Sequence, residues 1–477
     1  MPVPFDFIRR TALLLALVLP VTAAADAVDD YVRPVMDEMK IPGVSIVVLR
    51  NGKVMKSEGY GFANLEHEVR STPETIYQSG SVGKQFTAAG ILLLAEDGKL
   101  ELDDRLAVHF PGGPASWHRI TIRHLLTHTS GLKDYATDEI DFRKDYTEDE
   151  YLEIIKRIPI EFEPGTQWSY SNTGYLLLGI LTSKLAGKHW SEFLAERLFE
   201  PLGMTTTRVI SERDIVMHRA AGYELDENDE VRNQEWVAPS ANRCADGALY
   251  FSVEDLAAWD AALDAREFLE PESFQAWWTP VSLANGTTFP YGFGWGIAEQ
   301  RGHPVIEHGG SWQGFRAAIA RYVEQGLTVA VLANLAQAEP ETMAHEIAGL
   351  LEPALRRPDP GRTATDPDEE RGERLLRVLA AWADYDVVPD LAQGLAETAS
   401  GSGREAYGRV ETGRRLAAMT GFRYLGEDDL SERPLDVRGE RVERIAYYAL
   451  DTKDRRHAYR FWLSGDGRVV DFDSEQR

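Results

Sequence analysis

The sequence predicts an α/β fold of the α+β kind: one antiparallel sheet flanked by helices, a mainly helical region inserted between its halves, and a small α+β domain behind it. Three observations carry this. Strand-like alternation occurs twice, over residues 43–61 and 293–334, and the stretch between, 100–285, is helical and loop-rich. A charged, proline-rich segment follows, with Arg356-Arg357-Pro358-Asp359-Pro360-Gly361 and Asp366-Pro367-Asp368-Glu369-Glu370 in it. Three alternating runs then close the chain. Residues 1–25 are therefore expected to be a signal peptide, 26–355 one large domain, 356–372 a linker and 373–477 a small α+β domain.

The leader reading rests on Arg9-Arg10, an apolar run from Thr11 to Val21 and the small-residue exit Ala23-Ala24-Ala25, too short to cross a membrane as a mature helix. Cys244 is the single cysteine, so no internal disulfide forms and no cysteine near the cleavage site takes a lipid. Export without disulfides is expected to end in a bacterial periplasm or outside the cell, with no stable membrane anchor. The formal net charge is −26, which repels nucleic acid and anionic lipid. No phosphate loop, dinucleotide fingerprint or basic stripe occurs, and no cofactor is expected.

In chain order, Val28 to Met39 reads as a helix. Gly43 to Leu49 and Lys53 to Gly61 alternate around Asn51-Gly52, a strong hairpin signal. Gln85 to Asp97 is a buried helix closed by Gly98 and entered through Gln78-Ser79-Gly80-Ser81-Val82-Gly83-Lys84. From Tyr291 the period returns to two, over Phe293–Ala298, Val305–His308, Phe315–Tyr322 and Leu327–Asn334. The two strand sets must share one sheet, which puts Ser81 where they join. Beyond the linker, Leu375 to Ala383 and much of Pro389 to Met419 are helical in pattern. Val442–Leu450, His457–Leu463 and Val469–Phe472 form a meander.

Three motifs carry chemistry. If Ser81 opens its helix, Ser81 and Lys84 stand one turn apart on one face, where free amides and the helix dipole favour a developing alkoxide and the amine takes or relays the proton. A second copy of the pattern, Ser130-Gly131-Leu132-Lys133, is followed by the polar run Asp134 to Asp138 and reads as a loop. Tyr170-Ser171-Asn172 places a phenol two residues before an amide and ahead of an apolar helix. Tyr170 serves there as base or relay, and Asn172 holds Lys84 and a substrate amide or ester. In His308-Gly309-Gly310-Ser311, at a strand end, paired glycines admit a substrate backbone, the amides of Ser81 and Ser311 form an oxyanion hole, and His308 adds a donor. His124 and His128 sit four apart as metal ligands do, but without the glutamate of a zinc protease, so they read as structural. Tyr291-Gly292-Phe293-Gly294-Trp295-Gly296 reads as a twisted strand packing its aromatics.

Ser-x-x-Lys, Tyr-x-Asn and His-x-Gly in this order resemble the serine β-lactamase and penicillin-binding protein superfamily, in the branch with class C β-lactamases, DD-carboxypeptidases, D-aminopeptidases and related esterases. Leu125 to Leu132, Leu202 to Thr207 and Gly247 to Leu256 agree, and the resemblance covers about residues 28 to 350. It implies Ser81 as the acylated nucleophile, Lys84 and Tyr170 as proton-transfer partners with the order of transfer open, and Asn172 and His308 as residues lining the site, with no metal. The implied substrate is a small ester, amide or short D-peptide. His308 replaces the lysine of the superfamily's Lys-Thr-Gly motif, which argues for a substrate without an obligatory carboxylate. The rivals are a β-lactamase or D-alanyl-D-alanine carboxypeptidase, and a non-catalytic penicillin-binding sensor. The last domain is weakly similar to cystatin-like or lipocalin-like modules, which suit a roof over the cleft or a partner surface.

Overall fold

The computed structural model describes residues 21–476 apart from 136–139, 212, 360, 362, 385, 387, 393, 394, 396–403, 438 and 454. The expected signal peptide over 1–25 lies outside the described residues as far as residue 20, and the first helix runs Val21–Met39 rather than from Val28. Among the described residues no helix is long and apolar enough to cross a membrane.

One antiparallel sheet organises the first 350 residues, in the spatial order Gly296–Gln300, His303–Trp312, Phe315–Tyr322, Leu327–Ala333, Gly43–Arg50, Lys53–Asn64, Val69–Arg70. The two halves meet where Val44 pairs with Ala333 and Arg50 with Leu327, as the alternation requires. Seven of the eight residues of Gly43–Arg50 are buried, because both sheet faces are covered. Val47, Leu49, Ile319, Ala330 and Leu332 pack under the inserted helical region, whereas Val44, Ile46, Val48, Val329 and Val331 pack under helices Val21–Met39 and Pro340–Leu351. Alternate residues of one strand thus feed two cores.

Two elements differ from the sequence reading. The strand expected from Phe293 begins only at Gly296: Gly294 takes φ +73°, and Phe293 and Trp295 sink into the core, with Trp277 donating to the Phe293 carbonyl at 2.7 Å. The strand expected to end at His308 continues to Trp312, so the His-Gly-Gly motif lies inside it.

Residues 419–476 form a second antiparallel sheet, in the order Met419–Asp429, Glu440–Thr452, Arg456–Ser464, Val469–Gln476, with Leu435–Val437 beside Glu440–Thr452. Its first strand was not legible, since Met419-Thr420-Gly421-Phe422-Arg423-Tyr424-Leu425-Gly426 lacks clean alternation. Helices Arg371–Ala383 and Arg404–Ala417 accompany it. The proline-rich segment before them is pinned: Arg371, 2% exposed, is paired with Asp366 and Glu427. The sheet docks on the turn after Gly296–Gln300. There Arg301 grips both oxygens of Asp428 at 2.7 and 2.8 Å, and Trp462 donates to buried Glu299 at 3.1 Å.

Candidate active site

Ser81 stands in a 3₁₀ turn, Gly80–Gly83, that runs straight into the helix Lys84–Glu96. The helix is buried from Lys84 through Leu94, so its apolar run is a core element and Lys84 enters the interior with it. Lys84 is 0% exposed, and its Nζ meets Ser81 Oγ at 2.9 Å, Asn172 Oδ1 at 2.8 Å and the Asp246 carbonyl at 2.6 Å. Two of these three partners only accept. Two N–H bonds of the amine are therefore committed, and its third position, proton or lone pair, faces Ser81.

Asn172 opens the helix Asn172–Ala186, capped by the Ser171 side chain. Asp134 sets its orientation, accepting from the Asn172 amide at 3.1 Å and from Nδ2 at 3.0 Å, so that Oδ1 is turned to Lys84. Burial raises the Asp134 carboxyl above its usual range against the pull of Lys84. The loop expected after Ser130 is irregular backbone as far as Tyr135, and the rest of the polar run, 136–138, lies outside the described residues. Nothing in its composition showed that it delivers a half-buried carboxylate, Asp134, to Asn172.

The Tyr170 ring lies 4.9 Å from Lys84 Nζ and packs on His128 at 4.2 Å between centroids. Its hydroxyl is buried with no hydrogen-bond partner among the described residues. A buried hydroxyl left open beside a Ser–Lys pair is placed to exchange a proton with a bound substrate.

The strand His303–Trp312 brings the third motif against the Ser81 turn. Its outer neighbour pairs with it only as far as Glu307, and beyond that point the strand packs against Gly80–Gly83. The approach is close enough to need glycine on both sides. A Cβ on Gly80, which has φ +49°, would stand 2.3 Å from the Ser311 nitrogen, and one on Gly310 would stand 2.1 Å from the Ser79 carbonyl and 3.1 Å from the Ser81 nitrogen. The backbone amides of Ser81 and Ser311 are thereby neighbours, as an oxyanion hole requires. Gly309 faces away, toward Glu341.

His308 is held differently from the expected open donor. Its Nε2 lies 2.9 Å from the Tyr291 hydroxyl and its Nδ1 2.6 Å from the Gly309 carbonyl. Tyr291 and His128 were missed as site residues. Tyr291 forms an isolated bridge to Gly296 ahead of the strand, and the sequence pairs His128 with His124 as structural. His124 caps its own helix with Thr121, whereas His128 is fully buried behind Tyr170 at φ +58°. Among the described residues no group of three or more His, Cys, Asp or Glu is arranged to hold a metal.

The chain matches the Beta-lactamase family over residues 28–353. It belongs to that family. Penicillin-binding protein 4* of Bacillus subtilis is 31% identical over 307 residues, covering 61% of this chain and 67% of that one. A D-aminopeptidase of Brucella anthropi is 28% identical over 416 residues, covering 84% of this chain and 76% of its own. Among solved structures, the octameric penicillin-binding protein homologue from Pyrococcus abyssi superposes with TM-score 0.62 at 23% identity, over 94% of this chain and 99% of that one. The D-amino acid amidase from Ochrobactrum anthropi SV3 gives TM-score 0.59 at 24% identity, over 69% and 99%. At these identities the superpositions show the shared fold. Membership of the Beta-lactamase family makes this chain a serine hydrolase.

Proposed function

We propose that the protein is an exported hydrolase that cleaves a small ester or amide, D-aminopeptidase-like or esterase-like, through an acyl-enzyme on Ser81. The carrying observation is the three-way tether of Lys84 to Ser81, Asn172 and Asp246 in a buried site. Ser81 Oγ attacks the carbonyl carbon as its proton passes to the Lys84–Tyr170 pair. The amides of Ser81 and Ser311 take the oxyanion. Collapse expels the alcohol or amine with that proton, and water repeats the sequence to free the acid. Two aromatic pairs stand near these residues: Phe142 against Trp312 at 5.4 Å, and Trp168, beside Tyr170, stacked on Phe289 at 3.9 Å. Such pairs suit an apolar or aromatic substituent.

Intact-protein mass after mixing with p-nitrophenyl butyrate, D-alanine p-nitroanilide or a penicillin tests this, beside Ser81→Ala. Transient acylation by the first two that vanishes in the variant is the expected result. The 31% identity to penicillin-binding protein 4* favours a second reading, cell-wall or β-lactam chemistry. A persistent or rapidly hydrolysed penicillin adduct would select it, and no adduct with any reagent would sink Ser81 as nucleophile for these acyl groups. Export is tested by the mass of the chain recovered from a bacterial host, expected to start just after Ala25.

A further inference from the structure

The Lys84 side of the site explains the nucleophile. Opposite it lies a polar chain that the acyl-transfer steps do not use. Its atoms fix their own direction. The Ser171 amide, which can only donate, points at His128 Nδ1 at 3.1 Å, so Nδ1 is the bare nitrogen and Nε2 carries hydrogen. That Nε2 lies 3.2 Å from the Tyr291 hydroxyl, which accepts it and gives its own hydrogen to His308 Nε2 at 2.9 Å. His308 Nδ1 in turn faces the Gly309 carbonyl at 2.6 Å, which can only accept. Every step from the Ser171 amide to the Gly309 carbonyl has one consistent donor and one consistent acceptor.

From this geometry we infer that Tyr291, oriented by His128, is a positioning residue that locks His308 into the tautomer with a bare Nε2 and so selects acyl substrates that bring no carboxylate to this wall. The inference rests on the proposed acyl-transfer reading for its substrate consequence, though not for the lock itself. To protonate Nε2, His308 would have to displace the Tyr291 hydrogen. The hydroxyl oxygen already receives His128 Nε2–H, so that hydrogen would have to turn to the Tyr175 oxygen, its other hydrogen-bond partner, and give up its bond to His308. The neighbours reinforce the lock. Lys84, Tyr170, Tyr175 and Tyr291 surround His128, and the Tyr175 hydroxyl gives its hydrogen to the Leu126 carbonyl at 2.8 Å. Burial, then the Lys84 amine, hold His128 well below the usual imidazole range, which keeps it neutral. On the far face of the His308 strand, Glu307 is answered by His345 at 2.7 Å, and Glu341 lies against Gly309. A substrate carboxylate at this wall would thus meet an uncharged imidazole and a phenol rather than a cation.

The test uses the full chain labelled with ¹⁵N-histidine, the His308 signals being assigned by their loss in His308→Gln. In the wild type, His308 is expected to show Nδ1–H and a bare Nε2, unchanged from pH 8 to 5.5. Tyr291→Phe keeps the ring within its cluster, and His308 is then expected to titrate with a midpoint near ~6.5, the value of a free imidazole. The substrate consequence is read with two esters of phenylacetylglycine, one of phenol and one of 3-hydroxybenzoate, which differ by one carboxylate in the leaving group. At pH 5.5 the ratio of kcat/KM should move at least ~10-fold toward the carboxylate ester in Tyr291→Phe. A wild-type His308 that titrates near neutrality, or that carries hydrogen on Nε2, would overturn the lock. So would a variant in which neither tautomer nor ratio changes. Absence of Ser81-dependent turnover in a wild type whose His308 shows the expected tautomer would instead overturn the acyl-transfer reading.

Discussion

The chain writes Ser-x-x-Lys twice, and the two copies have opposite fates. Ser81 sits half-buried in a turn that feeds a core helix, so Lys84 is carried inside and its amine closes on Ser81 Oγ at 2.9 Å. Ser130 is 1% exposed in a loop; its hydroxyl accepts from the Leu132 amide at 3.2 Å, and the backbone of Lys133 bonds to Pro159 at 3.3 Å. The same four-residue spacing thus gives a Ser–Lys contact at a core helix in one place and a turn in the other. What separates them is the structure that follows. An apolar helix puts the lysine one turn below the serine with no water to answer its charge, whereas a polar run lets the serine satisfy the local backbone. The second copy still serves the first, because the loop it shapes delivers Asp134 to Asn172.

The largest effect should come from breaking the first copy. Ser81→Ala is expected to abolish acylation, a loss of at least ~10³-fold in kcat/KM, with the melting temperature little changed. Lys84→Met should lose a similar factor and, unlike Ser81→Ala, also stability. It strands the Asn172 oxygen and the Asp246 carbonyl in a buried site, at about 1–3 kcal/mol for each unsatisfied group. Denaturant titration beside burst kinetics separates the two variants.

Gly310→Ala tests the strand that completes the site around Ser81. The new methyl would overlap the Ser79 carbonyl, at 2.1 Å from the ideal Cβ, and push the Ser311 amide away from Ser81. Loss of one oxyanion donor predicts a fall of ~10²–10³-fold in kcat. If kcat survives while only stability drops, the Ser311 amide is not part of the hole.

Acid should act first around the second copy. His124 is held at about 4 by burial, and His128, two residues before Ser130, is held well below 6.5 for the same reason. A histidine whose folded pKa is depressed binds its proton more readily unfolded, so stability is full above ~6.5 and falls as pH drops below it. His189 and His457, each about 4, pull the same way. Unfolding midpoints measured from pH 7.5 to 5 should therefore decline, and a flat profile would mean these imidazoles charge within the fold.

The sheet was legible because its central strands are buried on both faces and bounded by turns, as in Gly43–Leu49 before Asn51-Gly52. Ser81, Lys84, Tyr170, Asn172 and the His308 motif were legible because each is a short spacing with a chemical reason. Asp134, His128 and Tyr291 were not, since their contacts join residues 38, 163 and 17 positions apart in chains of pairing that no local pattern encodes. Met419–Asp429 escaped for a different reason: it carries glycines and charges where alternation would mark a strand, and its pairing with Glu440–Thr452 shifts register twice.

The smallest effect is the one that sharpens the comparison. Ser130→Ala removes a hydroxyl whose visible work is one turn hydrogen bond, to the Leu132 amide. The expected cost is about 0.5–1.5 kcal/mol of stability, with acylation by p-nitrophenyl butyrate within a factor of ~2 of wild type. Urea titration and burst amplitude on the same sample measure both. A loss of acylation like that of Ser81→Ala, in a variant still folded, would mean that the two copies share the chemistry and that the loop reaches the reacting atoms. A loss confined to stability would leave the helix behind Ser81, rather than the motif itself, as the source of reactivity.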